Sequence, residues 1–169
     1  MTKTLTERLN DSLASRSDTI CSLIALIHTH DLDAALELAS GDETIETYLS
    51  EAIAYADDPT DWDELRDDIQ VTLCDYALCF DRVPSGTFDG QTEGYYRYQI
   101  SWGGPSEEIR FYEHKTEYWF LDWFCGECRV VTNEPWIEDL KEQLGFGDLI
   151  NFEGLGSDCD YEYEYSEDD

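Results

Sequence analysis

Apolar positions recur at three- and four-residue steps over the first eighty residues and at two-residue steps beyond residue 95, so the chain predicts a helical half followed by a sheet. Thr4 and Glu7 have capping-box spacing around Leu5, and Leu9 and Leu13 continue its stripe, which predicts a helix over 4–15. Ser17 and Asp18 restart the pattern, and Ile20, Leu23, Ile24 and Ile27 give a second, more apolar helix reaching His30. Asp31 is the expected N-cap of a short helix ending at Ala39, with Gly41 as its stop. Ser40 and Glu43 repeat the capping-box spacing before the stripe Ile45, Tyr48, Leu49, Ala52, Ile53 and Ala56, and Asp57-Asp58-Pro59 ends that helix. Thr60 with Asp63 opens another, with Trp62, Leu65, Ile69, Leu73, Tyr76 and Phe80 facing inward.

Turn chemistry over 83–90 then gives way to β-formers. Tyr96, Tyr98, Ile100 and Trp102 alternate with Arg97, Gln99 and Ser101, the period of a half-buried strand. A second strand is expected over 109–112, a third over 118–124, apolar on both faces and so expected to be central, and a fourth over 128–132. Gly126-Glu127 reads as the two-residue turn between the last two. Pro135 opens a helix through Trp136, Ile137, Leu140 and Leu144 that would cover one side of the sheet. The expected fold is α+β: four to five short N-terminal helices over 1–81, packed as one unit with an antiparallel meander of about four strands plus one helix over 82–150. Residues 151–169 form an acidic tail in which Tyr161, Tyr163 and Tyr165 alternate with carboxylates.

Charge changes this picture most. Forty Asp and Glu stand against ten Lys and Arg, a net charge of -30, in a chain that is 41% hydrophobic and 14% aromatic. Such a chain folds, yet its self-repulsion opposes compaction, and it repels nucleic acid while steering basic partners in. The acids crowd into 31–68, where Arg66 is the one base and the helical period persists, so carboxylates are displayed on a scaffold. Asp63 with Asp67 and Glu64 with Asp68 are like-charge pairs at i,i+4, each costing an isolated helix about 0.2 to 0.5 kcal/mol. The candidate partner-binding face is Glu43, Glu46, Glu51, Asp57, Asp58, Asp61, Asp63, Glu64, Asp67 and Asp68, with Asp158, Asp160, Glu162 and Glu164 of the tail as a secondary contact.

Other chemistry finds little support. Cys125 and Cys128 flank a turn, and a zinc site would need Cys74 and Cys79 as further ligands at a spacing unlike a zinc knuckle. His28 and His30 diverge on a helix, and His114 has no nucleophile placed beside it. No phosphate loop, nucleophile elbow, HExxH or EF-hand pattern occurs, so no catalytic role and no cofactor are expected. No apolar run is long enough to span a membrane and no signal peptide opens the chain, which makes the cytoplasm the expected compartment.

In size and acidic character the chain resembles the DNA-mimic antirestriction proteins of phages and conjugative elements, of the Ocr and ArdA type. The resemblance lies in composition and implies a non-enzymatic inhibitor that occupies the DNA-binding site of a defence complex, restriction-modification or CRISPR effector, possible as a homodimer. The alternative reading is an acidic inhibitor, immunity protein or chaperone for a basic protein, with aromatic anchors inside a compact acidic patch. A third is the all-over acidity of a halophilic protein.

Overall fold

A computed structural model describes residues 3–147, 150 and 152. The chain begins with one long helix, α1 (Leu5–Ile27), opened by the Thr4 and Glu7 capping box. The break expected near residue 16 does not occur. Ser17, which suggested a restart, bonds back into the helix instead, as do two hydroxyls after it: Ser17 Oγ donates to the Ala14 carbonyl at 2.9 Å, Thr19 Oγ1 to that of Ser15 at 3.1 Å and Ser22 Oγ to that of Asp18 at 2.9 Å. Leu9, Leu13, Ile20, Leu23, Ile24 and Ile27 thus form one buried stripe about 27 Å long, with Arg16 standing in its middle.

Three shorter helices follow. α2 (Leu32–Ala39) is capped by Asp31, and Gly41 leaves it at φ 100° as a left-handed stop. α3 (Glu43–Tyr55) and α4 (Trp62–Asp75) take their caps from Asp42 and Asp61, one or two residues away from the expected Ser40 and Thr60, because a carboxylate there accepts two backbone N–H groups at once. Ile45, Leu49 and Ala52 of α3 and Trp62, Leu65, Ile69 and Leu73 of α4 are buried against the far part of α1. Trp62 Nε1 donates to the Thr29 carbonyl at 3.2 Å, which ties the start of α4 to the end of α1.

The sheet has five strands, all antiparallel, in the order β1 (Cys79–Val83), β2 (Tyr95–Ser101), β3 (Ser106–Phe111), β4 (Thr116–Asp122), β5 (Cys125–Val130). β1 was not anticipated. Phe80 extends the helical period of Leu73 and Tyr76, yet it pairs with Tyr98 in the sheet, so the expected boundary at residue 82 runs through a strand. β3 is the middle strand, and β4, the strand expected to be central, is interior, paired with β3 on one side and β5 on the other. Ile100 sits in a bulge between Gln99 and Ser101, and Trp102, expected on the buried face, is 76% exposed.

The last hairpin also corrects the reading. Asp122 pairs with Cys125, so Trp123 and Phe124 form the turn, with Trp123 at φ 49°, while Gly126 and Glu127 lie within β5. A turn at Gly126-Glu127 would leave β4 from Glu117 to Phe120 without a partner on that side; the observed register pairs it throughout. α1 packs on β4 and β5, and α5 (Pro135–Gln143), with Pro135 in its first turn, packs chiefly on α1. One buried cluster joins both halves: Leu23, Leu49 and Leu65 with Tyr98, Ile109, Phe111, Tyr118 and Ile137.

Candidate functional site: the acidic helical face

The bases of this chain are concentrated on the sheet and α1, where all but the exposed Arg82 of β1 meet a carboxylate. Arg97 bonds Asp81 with Nε at 2.9 Å and Nη2 at 2.6 Å. Arg110 pairs with Glu108 and lies between the Tyr95 and Trp119 rings, 5.0 and 4.1 Å from their centroids. Lys115 reaches Glu117 at 2.9 Å, Arg8 pairs with Asp122, and Arg16 bonds Glu107 with Nε at 2.7 Å. These pairs remove most of the sheet's positive charge from any role in balancing the helices.

Between Asp31 and Asp75 Arg66 is the single base, and it contacts Asp63 at 2.9 Å. His30 Nε2 lies 3.1 Å from Asp31. Among the described residues no other carboxylate in this stretch meets a cationic group. From Asp61 to Asp68 five carboxylates and one guanidinium lie along about 10 Å of helix axis, one net charge per about 2.6 Å, against about 1.7 Å for duplex DNA.

The structure divides the candidate residues into two groups. Asp61 caps α4, and Asp58 accepts from the Thr60 backbone N–H and hydroxyl, which hold its carboxyl below the usual range. Glu64 accepts the Asp57 N–H at 2.9 Å, and Asp63 has Arg66. Glu43 and Glu46 stand in the first turn of α3, where the helix dipole favours them. Local stability therefore accounts for these six, including the Asp63 and Glu64 that sequence alone set against it. Glu51, Asp57, Asp67 and Asp68 are exposed with no such role, and Glu37 of α2 and Asp75 of α4 join them, while Asp33, in the first turn of α2, belongs with the first group. Those three were missed, although their positions on the outer faces of capped helices were a sufficient signal.

Asp158, Asp160, Glu162 and Glu164 lie outside the described residues. The cysteines do not converge. Cys79 is on β1 and Cys128 on β5, opposite edges of the sheet and about 19 Å apart, and Cys125 and Cys128 point to opposite faces of one strand. Cys74 is exposed near the end of α4. Among the described residues no group of three His, Cys, Asp or Glu side chains is placed to hold a metal ion, and no helix is long and apolar enough to cross a membrane.

Sequence reading also missed the exposed aromatics. Tyr55, 86% exposed, ends α3 beside Asp57 and Asp58. At the far end of the sheet Trp123 and Phe124 are 82% and 101% exposed. Comparisons with protein-family models, with curated proteins and with solved structures find no match to this chain.

Proposed function

We propose that this protein occludes the DNA-binding surface of a basic defence complex, a restriction-modification enzyme or a CRISPR effector, by presenting carboxylates where DNA presents phosphates. It acts by stoichiometric occupancy rather than by catalysis. One observation carries the reading: on α2, α3 and α4 Arg66 with Asp63 is the one ion pair, the other carboxylates are left without cations while most bases of the chain are paired on the sheet and α1, and the helices that display them are anchored by a buried core. Duplex DNA carries condensed cations that are released when a basic groove neutralises its phosphates, and an ordered acidic array gains affinity in the same way as its own cations are released on docking. Anchored helices lose little conformational entropy in that step.

A second reading has an observation of its own. Tyr55 projects from the acidic face, as an aromatic anchor of a conventional inhibitor of a basic protein would.

Both are tested by displacing a labelled duplex from a purified restriction-modification enzyme and, in parallel, from a CRISPR effector. The wild-type chain is expected to release DNA near stoichiometry from one of them. Changing Glu51→Gln, Asp57→Asn, Asp67→Asn and Asp68→Asn together is expected to weaken this about tenfold or more. Equal displacement by the neutralised variant, or DNA release from neither complex, contradicts occlusion. A larger loss from Tyr55→Ala than from the four neutralisations favours the second reading.

A further inference from the structure

The outer edge of β5 is unpaired among the described residues, and its sequence, Cys-Gly-Glu-Cys-Arg-Val, holds no Pro, no Lys and no bulge of the kind that blunts an open edge. Its residues are exposed apart from half-buried Glu127, with Val130 at 60%. We infer that this edge pairs with the same edge of a second copy of the chain, antiparallel and centred on Cys128. The inference is independent of the occlusion reading.

Parity selects which backbone groups are available. The Asp122–Cys125 pair closes a two-residue turn and is therefore hydrogen-bonded, and Val131 N donates to the Thr116 carbonyl at 2.9 Å. Odd-numbered residues of β5 thus bond inward to β4. Gly126, Cys128 and Val130 turn their N–H and C=O groups outward.

Charge then selects the register. Centring the pair on residue 127 or 129 sets Glu127 against Glu127 or Arg129 against Arg129, and like charges directly opposite destabilise a sheet. Centring it on 128 places Glu127 opposite Arg129 of the second copy, twice by symmetry, with Gly126 opposite Val130 and Cys128 opposite Cys128. Centres at 126 or 130 leave much of the strand unpaired. Within one chain Glu127 accepts from Thr6 Oγ1 at 2.9 Å and Arg129 lies 3.8 Å from Glu134, so both charges are held near the edge and keep capacity for a further partner. Elsewhere on the helical surface two copies would bring unpaired carboxylates together. At β5 they bring together one acid and one base each.

Sedimentation of the reduced protein across a dilution series at physiological salt is expected to show a monomer–dimer equilibrium that tightens as salt rises, since long-range repulsion is screened. Glu127→Arg and Arg129→Glu alone are each expected to weaken it about tenfold or more, and the two together to restore it, because the exchanged charges again meet opposites. Opposed cysteines in a hydrogen-bonded pair stand about 5.5 Å apart at Cα, within disulfide range. A variant with Cys21, Cys74, Cys79, Cys125 and Cys159 changed to Ser is expected to give a covalent dimer with diamide. There two Cys128 thiols form the disulfide, and their two protons and two electrons reduce the N=N bond to the hydrazine. A variant keeping Cys125 alone is expected to give none. A monomer at every concentration, a dimer indifferent to both single exchanges, or cross-linking through Cys125 in place of Cys128 overturns the inference.

Discussion

Arg16 occupies a core-facing position of α1, between Leu13 and Ile20, and it is held there by a partner 91 residues away. Its guanidinium bonds both oxygens of Glu107, at 2.7 and 3.2 Å, and the Tyr76 hydroxyl at 3.1 Å, while the Tyr118 hydroxyl donates to Glu107 at 2.8 Å. Burial pushes the Glu107 carboxyl up, but the hydrogen bonds from Arg16, Tyr118 and Ser12 outweigh it and leave it below its ordinary value of 4.5. A lowered folded value means that the pair stabilises fully above the unfolded carboxyl's titration and that this stabilisation is lost as pH falls through the folded one. Glu107→Gln is therefore expected to cost about 2 kcal/mol in urea unfolding at neutral pH, with the gap to wild type closing in acid. No local pattern reveals this pair, and the expected restart at Ser17 and Asp18 placed Arg16 outside both predicted helices.

The elements that were legible are those whose ends carry their own chemistry. Asp31 and Gly41 delimit α2, and Pro135 starts α5, because a cap or a ring acts within a few residues. β1 and the register of β5 were not legible, since a five-residue edge strand has too little period to distinguish it from a helix end, and a hairpin register is decided by the partner strand. α4 separates stabilising acids from displayed ones. Asp61→Ala, which removes the cap, is expected to cost about 1 kcal/mol in thermal or denaturant melts. Asp67→Asn with Asp68→Asn is expected to stabilise by a few tenths of a kcal/mol, by relieving the repulsion from Asp63 and Glu64. A loss of stability in that double variant would assign those two residues a structural role.

Over the whole molecule charge is segregated. Most ion pairs lie on the sheet and α1, and α2, α3 and α4 carry acids with Arg66 as their one base, so the acidic surface was legible in the sequence while its division into structural and displayed carboxylates was not. That division depends on Arg97, Arg110 and Lys115 finding acids on their own sheet. With a net charge of -30 the folded state repels itself, and raising salt from about 0.01 to 0.15 M shortens the screening length from about 30 to 8 Å. The melting temperature is expected to rise over that range by about 3 °C for each kcal/mol of repulsion relieved. A melting point unchanged across it would mean that bound counterions already neutralise the surface.

The most direct test of occlusion is the salt slope of binding. The affinity of this chain for a defence complex that it displaces from DNA, measured by titration calorimetry at several salt concentrations, is expected to fall linearly with the logarithm of salt, as steeply as duplex DNA falls on the same complex. Neutralising Glu51, Asp57, Asp67 and Asp68 is expected to lower that slope by roughly one for each ion pair removed. Tight binding with a flat slope, unchanged by those four substitutions, would contradict the account.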